Sequence, residues 1–415
     1  MKILQMSAYC DPEQISSSHL TDDLYDAFSK NDISVEDYVP TPCRGVSKEV
    51  RNKYKKIRHE EKFNGHYIIN RFPMFSEGKN PIIRALRYIL VNIIQYFKGT
   101  RAKNVDVIFA GSTPPTQGLL CGLVKKRLKV PFVYNLQDIF PDSLVNAGMT
   151  KKGSLIWKIG RKIEDFTYRS ADKIIVISDD FKRNIMEKGV PEDKIVVIPN
   201  WVNTDNVYPV DRKDNILFDR YNLDRSKFYI CYSGNLGHSQ NLELLVQVAE
   251  EIHITMPDVI FVLIGEGAAK VKVEATICDK KLDNIIVLPF QPYEDIAHVF
   301  SLGDAGLIIS KPGIGGSSVP SKTWSIMAAA RPIIASFDID SELANVIREA
   351  NCGVVVKPDS EEDLCETLKI FFNDNNTIIR YGENGKQYIK EKLNKDVCVK
   401  KYVDVIRKVK RGYVG

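Results

Sequence analysis

The sequence predicts an α/β protein made of two doubly wound, parallel-sheet domains of Rossmann-like form. Three observations carry this. Strand-like apolar runs alternate with helix-like runs along the whole chain, the mark of open parallel sheets covered by helices. At 415 residues the chain is too long for one ordinary core. The texture changes after Trp201, where 203–219 is polar, contains Pro209 and carries no strong period, so it reads as a linker.

Each element follows from a local pattern. Residues 2–6, 33–38, 67–72, 105–110, 132–136, 173–177 and 195–198 are short apolar runs of strand length. Helices are expected between them at 18–30, 82–96, 115–127, 155–169 and 179–188. The second half restarts with a strand at 229–233 and a helix at 243–253. Strands follow at 259–264, 285–288 and 305–310, then a helix at 322–330, strands at 333–335 and 353–356, and a helix at 361–372. A last helix is expected at about 396–409.

Composition narrows the function. Apolar content of 44% and charged content of 27% argue against extended disorder. Eight scattered cysteines without a C-x-x-C pair suggest neither a zinc site nor a disulfide framework, and the six histidines form no H-x-x-x-H cluster. The first residues lack the long apolar region of a secretory signal, so the expected location is cytoplasmic.

Charge is uneven. Residues 1–209 hold 32 Lys+Arg against 24 Asp+Glu, leaving 26 against 29 of the totals of 58 and 53, so the halves carry +8 and −3. Basic residues crowd 44–62, and 81–98 is apolar, aromatic and flanked by cations. Arg84, Arg87, Asn92 and Gln95 interrupt that run before the roughly 20 apolar residues a membrane span needs. The segment 44–98 therefore reads as a membrane-surface contact, or else as a helix packed on its own sheet. No nucleic-acid motif accompanies the charge, so nucleic acid is not an expected partner.

The stretch 308–337 says most about chemistry. A strand-like run ends in a loop rich in glycine and serine, and a helix-like run follows from Lys322. Free N–H groups at a helix start favour phosphate, and small residues let it approach. Lys322 adds a point charge, with Lys311 as second choice; either also reads as a solvated surface lysine.

Six motifs stand in order: Ser112-Thr113-Pro114-Pro115, Gln137-Asp138-Ile139-Phe140-Pro141-Asp142, Ile198-Pro199-Asn200-Trp201-Val202, Tyr232-Ser233-Gly234-Asn235-Leu236-Gly237, Ile264-Gly265-Glu266-Gly267 and Val319-Pro320-Ser321-Lys322. In order and spacing they resemble retaining glycosyltransferases of family four, in the branch that builds capsule, O-antigen and colanic-acid-type polysaccharides, and are similar to L-fucosamine-transferase-type enzymes. The resemblance spans nearly the whole chain. It implies the GT-B architecture, two Rossmann-like domains facing a cleft. The acceptor domain would be 1–207 and the nucleotide-sugar domain 208–395, with a helix within 396–415 returning to the first. It further implies a UDP-sugar donor, an acceptor saccharide on a lipid diphosphate, a place on the inner face of the cell membrane, and no metal or other cofactor.

The same resemblance distributes roles. Donor-binding groups would be Gly234, Asn235, Gly237, His238, Gln240, Gly265, Gly267, Phe290, Lys311, Ser317, Ser318, Ser321 and Ser325. Lys322 would stabilise the leaving diphosphate, Asp138 would orient the acceptor hydroxyl, and Gln137, Ser16 and Ser17 would lie on the acceptor side. Several of these keep plainer readings: a tight turn at 234–237, core packing for Phe290, a helix cap or turn carboxylate for Asp138 and a cap for the serine nearest 18.

Departures from the family pattern are informative. Asn235 stands where relatives carry Arg, Gln240 near where they carry Lys, and Ser317 and Ser325 where they carry two Glu. A serine makes fewer hydrogen bonds there than a carboxylate accepts. Asp338-Ile339-Asp340 spells the D-x-D of metal-dependent transferases of another fold and is discounted here. Two other functions fit parts of the pattern: a non-hydrolysing UDP-GlcNAc 2-epimerase, and a non-catalytic glycan-binding or partner subunit.

Overall fold

The computed structural model describes residues 1–13, 18–78, 80–146, 149–315 and 320–413. It divides into two compact units, Met1–Pro199 with Cys398–Gly415, and Asn200–Val397. The break falls ahead of the stretch read as a linker. Residues 203–219 belong to the second unit and bury Val207, Val210, Leu217 and Phe218. Asn215 explains this: its side chain accepts from Leu217 N (3.1 Å) and donates to His298 O (2.8 Å), starting the short helix Ile216–Arg220. A five-residue helix is too short to show a period, which is why the sequence reads as linker there.

The first unit is an eight-stranded sheet. In chain order its strands are β1 (Lys2–Gln5), β2 (Ser34–Pro40), β3 (His59–Lys62), β4 (Tyr67–Phe72), β5 (Val107–Gly111), β6 (Phe132–Leu136), β7 (Lys173–Val176) and β8 (Ile195–Val197). They lie in the order β3-β4-β2-β1-β5-β6-β7-β8, and every neighbouring pair is parallel except β3 with β4. The polar run His-Glu-Glu-Lys of β3 has no apolar signature and was not expected; it is an edge strand, where charged residues block further pairing.

The helix Lys395–Gly412 supplies the end of this unit. Tyr402 Oη donates to Asn135 Oδ1 of β6 (3.1 Å), Arg407 to Asn31 O (3.0 Å), and Lys410 pairs with Asp106 (2.8 Å).

The helix Pro81–Gly99 is built inside out. Arg87, Val91 and Gln95 are buried, and Arg87 donates to Phe75 O (2.9 Å) and Thr41 O (3.2 Å). Gln95 donates to Ser7 O (2.8 Å) and Tyr38 O (2.7 Å). Loop and strand-end carbonyls lack a ladder partner, and these polar side chains satisfy them. The apolar residues Ile82, Leu86, Ile89, Ile93 and Phe97, spaced at three and four, are left exposed in one stripe.

The second unit is a six-stranded, wholly parallel sheet. Its strands are β9 (Phe228–Ser233), β10 (Val259–Ile264), β11 (Ile285–Leu288), β12 (Ala305–Ile309), β13 (Ile333–Ser336) and β14 (Gly353–Val356), in the order β11-β10-β9-β12-β13-β14. All of β12 and β13 is buried because helices cover both faces, which is why these strands read as unbroken apolar runs. Among the described residues no helix is long and apolar enough to cross a membrane.

Candidate functional site

In an open parallel sheet the strand order reverses at one place, and loops leaving the carboxyl ends there diverge to form a crevice. In the second unit that place lies between β9 and β12. The turn after β9 rests on the turn after β10: Gly234 N donates to Ile264 O (2.9 Å), Leu236 N to Glu266 O (2.8 Å), and Ala269 N to Leu236 O (2.8 Å). Gly265 N in turn donates to Leu288 O at the end of β11 (3.2 Å). The backbones approach so closely that a Cβ on Gly265 would fall 1.9 Å from Gly234 O. A Cβ on Gly267 would likewise fall 2.3 Å from Leu236 O, so the glycines of the second motif are required by contact between the two turns, whereas a Cβ on Gly234 or Gly237 would meet Lys322 or side chains of its own turn.

Lys322 opens the helix Lys322–Ala328, which is shorter than the expected 322–330 and ends with Ala330 at a φ of 53°. Seven residues carry little dipole, so the side chain matters more than the helix end. Its ammonium lies 3.6 Å from the centroid of the Tyr232 ring and 3.1 Å from where a Cβ on Gly234 would stand. No carboxylate pairs with it among the described residues. Burial brings its pKa down from the ordinary 10.5 to about 7, opposed by the nearby Cys231.

Other expected donor residues surround the same end of the sheet. Asn235 and His238 are exposed, and the Asn235 carbonyl accepts from Tyr232 Oη (2.7 Å). Gln240 Oε1 accepts from Gly237 N (3.1 Å), so Gln240 closes the turn. Lys311 is exposed, and its amide donates to Ser239 O (2.9 Å), joining the loops after β12 and β9. Ser321 is exposed at the helix start without a side-chain capping bond, and Ser325 is half-buried. Ser317 and Ser318 lie outside the described residues.

Phe290 is not a core residue: it is 71% exposed just beyond β11. Gln291 next to it is buried, donating to Tyr221 Oη (2.7 Å) and Pro289 O (2.7 Å) and accepting from Arg220 (2.9 Å). The loop is thus anchored by Gln291 while the Phe290 ring is offered to solvent.

Two contributors were missed as such in the sequence. Asp338 accepts from Gly313 N (3.0 Å) and Gly315 N (2.7 Å), so the first carboxylate of the D-x-D shapes the glycine-rich loop. Its place two residues beyond β13, at the carboxyl end of the sheet, was the available signal. Tyr232 stood in a quoted motif, but its pairing with Lys322, 90 positions away, had no local signature. Among the described residues no group of three or more His, Cys, Asp or Glu is placed to hold a metal ion.

In the first unit the strand order reverses between β1 and β5. Gln137 N and Asp138 N, directly after β6, both donate to Ser112 Oγ (3.0 and 3.2 Å), tying the loop after β5 to the loop after β6. Gln137 Nε2 donates to Asn135 Oδ1 (3.0 Å). The Asp138 carboxylate accepts from Ser143 Oγ (3.3 Å), and partial desolvation raises its pKa despite that bond. The loop after β1 is held by buried Asp37, which accepts from Ser7 N (2.9 Å), Ser7 Oγ (2.7 Å) and Tyr67 Oη (3.1 Å). Ser16 and Ser17, further along that loop, lie outside the described residues.

Residues 20–206 match the family model for Glycosyltransferase Family 4, and 213–388 the model for Glycosyl transferases group 1. A probable glycosyltransferase of Pseudomonas aeruginosa, WbjE, is 28% identical over 61% of this chain and 63% of its own length. A putative colanic acid biosynthesis glycosyl transferase of Escherichia coli K12, WcaI, is 25% identical over 66% of this chain and 67% of its own. The first alignment thus spans less than two thirds of that relative. Among solved structures, HepE of Anabaena in complex with UDP superimposes with a TM-score of 0.73 at 13% identity, covering 98% of this chain and 100% of that one. Sucrose-phosphate synthase of Thermosynechococcus elongatus gives 0.75 at 16% identity, covering 98% of each chain. The fold is that of the GT-B glycosyltransferases.

Proposed function

We propose, from the premise that this chain belongs to the glycosyltransferases, its first half of Family 4 and its second of group 1, that it transfers a sugar from a UDP-sugar with retention of configuration. The sugar is an N-acetylated hexosamine of the L-fucosamine kind. The acceptor is a saccharide on a lipid diphosphate, in surface-polysaccharide biosynthesis, at the inner face of the cell membrane. The relative named for colanic acid biosynthesis and the neighbour solved with UDP support this reading.

One observation carries the donor side: the Lys322 ammonium beside the Gly234 turn, with no carboxylate partner among the described residues. Breaking the glycosidic bond to a diphosphate builds negative charge on the leaving oxygen, and a preorganised cation there lowers the barrier. Lys322 takes over the charge that Arg and Lys at positions 235 and 240 would supply. The exposed Phe290 ring offers a stacking face for the nucleobase. Asp138 orients the acceptor hydroxyl, and its proton passes to the departing phosphate oxygen on the same face. No metal enters the scheme.

Thermal shift with UDP, GDP, ADP, dTDP and CMP tests this first. UDP alone should stabilise the protein, by about 2.7 kcal/mol at 100 times its Kd. If no nucleotide shifts the transition at millimolar concentration, the chain is a binding subunit and the transferase reading fails. UDP-GlcNAc incubated without acceptor should stay unchanged; appearance of the manno isomer would make the enzyme an epimerase.

The membrane part rests on the exposed stripe of the helix Pro81–Gly99. Leu155, Ile156 and Ile159 are exposed on another helix of the same unit, Leu155–Ser170, whose Lys158 and Lys162 suit an anionic leaflet. The double substitution Ile89→Asp, Ile93→Asp should lower cosedimentation with anionic vesicles by at least about 100-fold, since each isoleucine contributes about 1.5–3 kcal/mol when buried. Stability should change by less than about 0.5 kcal/mol per site, because both side chains face solvent. Unchanged cosedimentation would remove this helix from the membrane contact.

A further inference from the structure

We propose that Tyr232 is a positioning residue for the donor: its buried ring carries the Lys322 ammonium where other sites would use a carboxylate, and presents it to the diphosphate at the turn after β9. This rests on the reading that the site takes a nucleoside diphosphate. Nothing in the family comparison assigns Tyr232 a role.

The geometry is specific. The ammonium sits 3.6 Å from the ring centroid, within the range in which a ring quadrupole attracts a cation. The ring is fully buried at the end of β9, and its hydroxyl donates to Asn235 O (2.7 Å), which fixes both the ring and the turn beside it. A Cβ on Gly234 would crowd the ammonium at 3.1 Å, so the glycine lets the lysine lie close against the turn. A carboxylate in Tyr232's place would neutralise the lysine, and an incoming phosphate would have to displace it. A neutral ring holds the cation and leaves its charge available.

The surroundings couple this arrangement to protons. The Cys231 thiol and the Tyr232 hydroxyl are the titratable groups beside Lys322 among the described residues; burial pushes the thiol up to about 12 and raises the hydroxyl too, so both stay neutral and burial dominates the lysine's own shift. Burial also brings the lysine down to about 7, so at pH 8 most of it is neutral in the ligand-free protein. A bound phosphate favours the charged form. Binding therefore takes up a proton, and UDP affinity should fall as pH rises above 7, approaching tenfold per pH unit.

The test is calorimetric titration of UDP at pH 6.5 and 8.5 with four proteins. These are wild type, Tyr232→Phe, Lys322→Ala, and a protein with 3,4,5-trifluorophenylalanine at 232, which keeps the ring's shape while removing its negative face. Tyr232→Phe should bind within about threefold of wild type, and the fluorinated ring about tenfold more weakly at pH 6.5. Wild type at pH 8.5 should take up a proton per UDP bound, and Lys322→Ala none. Equal affinity for Phe and its fluorinated form would overturn the role of Tyr232 while leaving UDP binding intact. A wild type that binds no UDP would instead sink the donor-site reading itself.

Discussion

Lys322→Ala should lower turnover by on the order of 100-fold, as loss of one charge-stabilising group in a transferase site typically does. The fold should survive, because the side chain has no ion pair among the described residues whose loss would strand a buried charge. The variant also carries a stability signature. The folded pKa of Lys322 is about 7 against an ordinary 10.5, so between those values the unfolded chain binds more protons than the folded one. Stability of the wild type therefore rises with pH across that window. Below about 7 the wild type bears the whole cost of burying the ammonium; towards 10.5 the cost disappears. Lys322→Ala should be more stable than wild type near neutral pH without UDP, with the difference shrinking as pH rises. Steady-state rates and thermal melts from pH 6.5 to 10 measure both, and turnover within threefold of wild type would remove Lys322 from the mechanism.

Gly265→Ala should be the most damaging single methyl in the second unit. The added Cβ would stand 1.9 Å from Gly234 O, a backbone atom that cannot swing aside, and the φ of 156° is already unfavourable for a side chain. Either the turn after β9 or the turn after β10 must move, breaking the bond from Gly234 N to Ile264 O. Overpacking and backbone strain together cost about 3 kcal/mol, roughly 10 °C in the melting temperature of a unit this size. UDP binding should fall with it, since the moved turn carries the ammonium's neighbour. Gly111→Ala is the control: its Cβ would meet nothing within 4 Å, and stability should change by less than about 0.5 kcal/mol. A Gly265→Ala protein that melts with wild type would show the two turns are not in contact.

The sequence made the parallel strands legible because strands buried on both faces read as unbroken apolar runs, as Ala305–Ile309 does. It hid what depends on exposure. The polar residues Arg87 and Gln95 looked like interruptions of an apolar helix, yet they face inward and bind carbonyls, while the isoleucines face out. Phe290 had equal claims to core and site, and only its surroundings decide between them. The glycine motifs marked the donor loops, since a glycine needed for backbone contact is visible by itself. Tyr232 and Lys322 meet through the β9 and β12 neighbourhood, a relation that strand order creates and linear spacing does not record.

The helix Lys395–Gly412 completes the first unit from the far end of the chain, through Tyr402 on Asn135 and Lys410 on Asp106. On the ribosome this imposes a wait. At about 5–20 residues per second, the roughly 200 residues that separate Pro199 from that helix take some 10–40 s to make. Over that interval the nascent first unit lacks one of its walls, with Phe109 and Asn135 uncovered where the helix will dock. The unit translated second can therefore finish folding before the unit translated first, and a nonsense codon between 398 and 410 removes contacts from the first unit and not from the second.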